Sequence, residues 1–159
     1  MAEKIDVRPA TIVIENDKVL VVESKYGEEE FYLFPGGGIE YGETIEETAI
    51  RETLEETGYQ VKVIKPVYIN EYIDERDKSR RVINIFFLAK LTGKKRKKVC
   101  DDGGKIKQVK WVPIKKLKEI DIRPRMIKEN LEKDYKEAFK IVRYNIEYKH
   151  HRKDVSTNL

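Results

Sequence analysis

The chain has 159 residues, 40% of them apolar and 39% charged, with a formal net charge of +4. That length predicts a single domain with a real core. The apolar content and nine tyrosines exclude a wholly disordered chain, and one cysteine, Cys100, excludes an internal disulfide or an all-cysteine metal site. No apolar run approaches the ~18 residues of a membrane span, and the opening Met-Ala-Glu-Lys-Ile-Asp lacks the apolar centre of a signal peptide. No membrane partner and a cytoplasmic location are therefore the expectation, and the modest charge alone does not indicate nucleic acid.

In chain order, 7–14 (V-R-P-A-T-I-V-I) and 18–23 (K-V-L-V-V-E) read as strands joined by a turn at Glu15-Asn16-Asp17. A polar loop is expected from Ser24 to Glu30, then a short aromatic strand, Phe31 to Phe34, ended by Pro35. Three glycines follow, Gly36 to Gly38; they serve either a tight strand-to-helix connection or close backbone approach to a ligand. Thr44 with Glu47 three residues on forms a capping box, and Gly58 is a glycine stop, so a helix is predicted over 45–57. Beyond it, Val61–Tyr72 reads as a strand bent at Pro66, 73–80 as a charged turn, and Val82–Leu91 as a central strand. A polar loop is expected from Thr92 to Lys107, then a strand at Val109–Val112 and a short helix from Pro113 to about Glu119. Ile127, Leu131, Tyr135, Ala138, Val142 and Ile146 recur at helical spacing, which predicts a long C-terminal helix from Pro124 to 147. The domain is placed at 1–147, with 148–159 a frayed tail. Strands on both sides of a helix, plus a second helix, predict an α/β fold with a mixed sheet between helical layers.

The segment Gly36–Tyr59 stands out: it carries seven carboxylates and one arginine in a chain that is otherwise net basic. Glu52, Glu55 and Glu56 fall on one helical face at ~100° per residue, with Arg51 at its border. Like charges at this spacing repel, which a hard divalent cation among them would relieve; a solvated acidic face is the alternative. Mg²⁺ is the default ion because it takes oxygen ligands and bridges carboxylates to phosphates.

Gly37, Glu43, Arg51, Glu52, Glu55, Glu56 and Gly58 fit the spacing G-x5-E-x7-R-E-U-x-E-E-x-G-U, which resembles the signature of the Nudix hydrolases at all seven fixed positions. The first aliphatic position, U, is Thr53 here, whose methyl can still pack; Tyr59 fills the last. The resemblance implies a Nudix-like α/β/α sandwich with a loop–helix–loop motif, covering roughly the first 120 residues. It also implies hydrolysis of a pyrophosphate bond in a nucleoside diphosphate derivative, with Mg²⁺ or Mn²⁺. On that basis Glu52 and Glu56 are the first metal ligands, Glu55 shares ligation or takes the proton of the attacking water, and Arg51 holds a glutamate by a forked hydrogen bond. Glu43 and the Gly36 carbonyl are further ligands. Relatives often carry a downstream glutamate near Gln108; this chain has none there, and Asp101 and Asp102 are substitutes or simply turn residues.

Candidate substrate contacts are Gly37, Gly38, Tyr41 and Phe31, with Lys97 from the run Lys94-Lys95-Arg96-Lys97-Lys98. That run is a guide for a polyphosphate or an RNA 5′ end, or a solvated loop. The expected partner is a small nucleotide: a triphosphate, an ADP-ribose-like molecule or a dinucleoside polyphosphate. Pro66 and Tyr72 fit poorly the positions that separate those subfamilies. A Nudix-fold nucleotide sensor or RNA-binding module is the alternative function, and the long C-terminal helix offers a homodimer interface.

Overall fold

The computed structural model describes residues 4–74, 80–93 and 106–149. In chain order it forms β1 (Lys4–Glu15), β2 (Lys18–Tyr26), β3 (Glu29–Leu33), α1 (Ile45–Thr57), β4 (Val61–Asp74), β5 (Arg80–Leu91), β6 (Ile106–Pro113), a 3₁₀ turn (Ile114–Glu119), β7 (Ile122–Arg123), α2 (Arg125–Lys136) and β8 (Arg143–Lys149).

One departure between neighbouring strands creates the site. β1 and β2 turn at Asn16 and Asp17, both with positive φ, a conformation short polar side chains tolerate. They pair antiparallel only beside that turn, Ile14 opposite Val19 and Glu15 opposite Lys18. They then part. β1 continues parallel to β5, from Lys4 opposite Arg80 to Val13 opposite Ala89, while β2 pairs β3 on one edge and β6 on the other. The mixed sheet runs β7-β3-β2-β1-β5-β4-β8, with β6 on β2. Backbone from Pro35 to Gly37 fills the place β2 vacates: the Thr11 N–H donates to the Pro35 carbonyl at 2.9 Å and the Gly37 N–H to Pro9 at 3.1 Å. A Cβ at Gly36 would strike the Pro9 carbonyl and Ala10, so the approach requires glycine.

The helices lie on opposite faces, as the alternation along β1 dictates. Ala10 and Ile12 join one buried cluster with Phe34, Tyr68, Phe86 and the α2 residues Ile127 and Leu131. Val13 joins another with Leu20, Val61, Ala89 and the α1 residue Ile50, backed by Trp111 and Tyr59. Thr11 points the same way, and its hydroxyl meets that of Thr53 at 2.7 Å. The Thr at the motif's aliphatic position thus satisfies its polar atom across the helix–sheet seam.

α1 starts and stops where the sequence predicts. Thr44 accepts the Glu47 N–H, Glu47 accepts the Thr44 N–H, and Gly58 closes the helix at φ 75°. The loop expected at Ser24–Glu30 is shorter: β2 runs to Tyr26 and β3 begins at Glu29, leaving a two-residue turn at Gly27 and Glu28.

The main correction is at the C-terminus. The long helix to 147 does not form; α2 ends at Lys136, and Ala138 and Phe139 turn the chain with φ 54° and 49°. The Phe139 N–H donates to the Asp134 carbonyl at 2.7 Å, and its ring packs edge-on against Tyr68. Residues 143–149 then pair parallel to β4, Tyr68 opposite Arg143 through Asp74 opposite Lys149. The stretch R-Y-N-I-E-Y-K alternates with period two, and Ile146 satisfies both that alternation and the helical spacing. Tyr148 and Lys149 belong to this strand, not to a tail, and residues 150–159 lie outside the described set. The helix on which the homodimer expectation rested is absent from 137–149.

Candidate active site

Arg51 is the hub of the acidic cluster. Its Nε and Nη2 fork onto Glu43 at 2.6 and 3.0 Å, its Nη1 reaches Glu52 at 2.9 Å and Glu55 at 3.1 Å, and Nη2 also donates to the Gly38 carbonyl at 3.1 Å. Glu40 stands 3.9 Å away. The predicted fork is therefore real, and its target is the loop glutamate, so Arg51 ties the loop to the helix. Arg51 hydrogen bonds, aided by the Glu40 N–H and the Thr48 hydroxyl, hold the Glu43 carboxyl at about 2. Glu52 behaves oppositely: burial raises its carboxyl above the usual range, against the pull of Arg51. The cause is visible in the packing, because a Cβ on Gly37 would fall onto the Glu52 carboxylate. The first motif glycine exists to let that carboxylate lie against the backbone.

Glu56 faces another direction. It accepts the Gly36 N–H at 2.9 Å. The carbonyl of the same residue accepts Arg8 Nη2 at 2.7 Å, and Nη2 also reaches the Phe34 carbonyl at 3.2 Å. Burial depresses the half-buried Arg8 guanidinium's proton affinity, while Glu56 and then Glu52 counter that depression. Arg8, Glu56 and Gly36–Gly38 open onto a cavity of about 720 Å³ in the cleft where β1 and β2 part. Val22, Leu33, Val82 and Ile39 give it an apolar lining, and Lys4, Asp6, Ser24 and Arg80 its polar groups. That volume lies within the ~300–1,000 Å³ usual for small-molecule sites.

Of the predicted contacts, Gly36, Gly37, Gly38 and Glu56 line this cavity, and Glu43, Arg51, Glu52 and Glu55 form the cluster behind it. Tyr41 is fully exposed and outside the lining. Phe31 lies under the Arg123 guanidinium, 4.0 Å from ring centre to carbon, also outside the lining. Lys97, the rest of the 94–98 run, Cys100, Asp101 and Asp102 lie outside the described residues. Gln108 sits opposite Glu23 on β2, which places a carboxylate across the ladder from it.

Arg8 is the residue the sequence reading missed. Its signal was an arginine inside the apolar run V-R-P-A-T-I-V-I, at period two with Lys4 and Asp6, which puts all three on one face of β1.

The acceptors gathered here are all oxygen, and among the described residues of the cluster Glu40, Glu43, Glu52, Glu55 and Glu56 outnumber Arg8 and Arg51, so donor chemistry and charge fit a hard divalent cation. Among the described residues no three carboxylates converge as a ready cage: Arg51 stands among Glu43, Glu52 and Glu55, and Glu56 turns to Gly36.

The family described as NUDIX domain matches residues 6–131. An ADP-ribose pyrophosphatase of Methanocaldococcus jannaschii is 35% identical over 85 residues, covering 52% of this chain and 48% of that protein. A putative 8-oxo-dGTP diphosphatase of Bacillus subtilis is 31% identical over 101 residues, covering 64% of this chain and 61% of that one. The chain thus spans about half the length of the curated relatives it matches. A solved NUDIX hydrolase from Nitrosomonas europaea shares the fold, with a TM-score of 0.72 at 23% identity over 85% of this chain and 90% of that one. Among the described residues no helix is long and apolar enough to cross a membrane. The chain belongs to the NUDIX family.

Proposed function

We propose that this NUDIX-family chain is a divalent-cation-dependent pyrophosphohydrolase that cleaves a nucleoside diphosphate derivative in the cavity between β1 and β2. The observation that carries the reading is the placement of Glu56 and the Gly36–Gly38 backbone on the cavity wall, with the desolvated Glu52 packed against Gly37 directly behind them.

Glu52, Glu56, Glu55, Glu43 and the Gly36 carbonyl are the oxygen donors that would hold Mg²⁺ or Mn²⁺. Such an ion supplies charge neutralisation at the phosphates and a more acidic bound water. The chain's own residues do the rest. Arg51 fixes Glu43, Glu52 and Glu55 relative to one another, so the carboxylates are positioned before substrate arrives. Glu52 or Glu55, both held by Arg51 Nη1, would take the proton of the attacking water. Water adds to one phosphorus, the bridging P–O bond breaks, and the displaced phosphate leaves with the electron pair. The apolar lining from Val22, Leu33 and Val82 shields the nucleoside end, and Lys4, Arg8 and Arg80 offer positive charge to phosphate oxygens.

The relatives' names place ADP-ribose and 8-oxo-dGTP among the substrates to try. A screen with Mg²⁺ over ADP-ribose, ordinary and oxidised nucleoside triphosphates, dinucleoside polyphosphates and nucleotide sugars, with products separated by chromatography, tests the reading. Cleavage abolished by chelator and by Glu56→Gln is expected. A folded protein that cleaves none of these would overturn it.

A further inference from the structure

We propose that Arg8 and the divalent cation compete for the Gly36 carbonyl, and that Arg8, once displaced, turns into the cavity to bind the substrate's phosphate. This rests on the metal-dependent reading above and assigns Arg8 a coupling role between the two ligands.

The two arginines of the site are held in different ways. Arg51 is forked by a carboxylate and reaches two more, so releasing it would expose three acids at once. Both hydrogen bonds from Arg8 leave a single nitrogen, Nη2, for two neutral backbone carbonyls. A guanidinium bound to carbonyls is the weaker anchor, since charge-assisted bonds to ionised acceptors are roughly twice as strong. The Gly36 peptide is gripped at both ends, its N–H by Glu56 and its carbonyl by Arg8. In the metal-free chain, Arg8 thus supplies positive charge at the Gly36 carbonyl, one of the oxygens a dication would use. A dication brings twice the charge to that carbonyl and to Glu52 and Glu56, so the two are alternatives at that point.

The displaced group has a destination. Arg8 already lines the cavity, beside Gly36, Gly37 and Gly38. With Glu56 and Glu52 engaged by a metal, and the cavity's Asp6 already paired with Lys4, the phosphate of a nucleotide would be the anion left for Arg8 among the described groups. The other cavity cations are poorer candidates. Lys4 is largely exposed and paired with Asp6 at 2.8 Å, and Arg80 is exposed at the start of β5. The order implied is metal first, then substrate, each binding event favouring the next.

Direct binding measurements on the full chain separate this from a purely structural clamp. Mn²⁺ affinity, read from the loss of the free-ion electron paramagnetic resonance signal, is expected to be about tenfold tighter in Arg8→Gln, where the competitor is gone. At saturating Mn²⁺, calorimetric affinity for α,β-methylene-ADP is expected to be about tenfold weaker in the same variant. Opposite signs for the two ligands are the signature. Arg8→Lys keeps the charge without the fork, so it is expected to tighten Mn²⁺ only two- to threefold or so and to retain most of the nucleotide affinity; it carries the test if Arg8→Gln does not fold. Unchanged or weaker Mn²⁺ binding in a folded variant, or unchanged nucleotide binding, would overturn the competition alone. Absence of Mn²⁺ binding in every protein, wild type included, would remove the metal-dependent reading and the competition with it.

Discussion

Two arginine–carboxylate centres, built from the same chemical groups, do opposite jobs in this molecule. Arg51 and Arg143 are equally exposed, 22% each. Arg143 forks onto Asp134 at 2.7 and 2.6 Å, and Asp134 also accepts the Tyr68 hydroxyl at 2.6 Å, so one buried acid meets one partly buried cation. Burial works against the Asp134 charge, but Arg143 and Tyr68 outweigh it and hold the carboxyl below its usual range. Arg51 instead serves Glu43, Glu52 and Glu55, with Glu40 nearby, which one cation does not neutralise. The balanced centre ties α2 and β8 to β4. The unbalanced one lies behind the cleft wall, where Glu52 packs against Gly37, and among the described residues its acids outnumber its arginine. Stoichiometry of charge, more than burial of the arginine, separates a structural ion pair from a site that wants a ligand.

Exchanging charge for amide at each centre tests this division, and the largest effect belongs to the open one. Glu52→Gln and Glu56→Gln are expected to lower kcat by roughly 10³-fold or more, about 4 kcal/mol of transition-state stabilisation. Thermal stability of the metal-free protein is expected to change little, because Arg51 keeps Glu43 and Glu55 when Glu52 is lost. Steady-state kinetics with melting curves on the same preparations check it; a folded, fully active Glu52→Gln would remove that residue from the chemistry. At the closed centre the effects trade places. Asp134→Ala leaves Arg143 and the Tyr68 hydroxyl without their acceptor, and removing one partner of a buried pair costs about 3–5 kcal/mol. Denaturant titration is expected to show that loss, with kcat preserved at temperatures where the variant is still folded.

Acid distinguishes the members of the open cluster from one another. Glu43 sits at about 2 when folded and near its ordinary 4.5 when unfolded, so its stabilisation is complete above 4.5 and lost as pH falls from there toward 2. Glu52 is raised by burial, so it works in the opposite sense: its protonated form favours the fold, and that help fades as pH rises through its folded value. The melting temperature of metal-free Glu43→Gln is expected to fall less steeply than wild type between pH 4.5 and 2. Parallel slopes would mean that Arg51 does not hold Glu43 in solution as it does here.

Local features of the fold were legible because their causes are local. The capping box, the Gly58 stop and the glycines at 36 and 37 are each fixed by a handful of neighbouring residues, and the acid spacing follows from the helix period. Long-range features were not. Arg8 joins the site only because β1 parts from β2 and lets Gly36 in beside it, a pairing 28 residues apart in sequence. β8 was hidden because Ile146 suits either a helix or a strand, and the decision is made by β4 offering a parallel edge. Phe31 and Tyr41 are close to the motif in sequence, yet one packs under Arg123 and the other points to solvent.

The smallest effect tests whether the unbalanced cluster depends on its helix start or only stands beside it. Thr44 accepts the Glu47 N–H at 3.2 Å, while Glu47 accepts the Thr44 N–H at 2.8 Å and the Thr44 hydroxyl at 2.9 Å. These bonds are exposed, and none touches the cavity lining. Thr44→Ala removes one capping acceptor, worth about 1 kcal/mol, so the melting temperature should fall by roughly 2–4 °C in a chain of this size. Two links join the cap to the site: Glu43 is the residue next to Thr44 in the chain, and the Thr48 hydroxyl shares its one proton between the Thr44 carbonyl at 3.0 Å and Glu43 at 2.8 Å. The carbonyl survives the substitution, so Glu43 should stay in place and kcat should be unchanged, with Thr44→Ser restoring the stability. A fall in kcat well beyond the loss of stability would show that the cap sets the position of Glu43, and that the cluster's geometry is held from the loop as much as by Arg51.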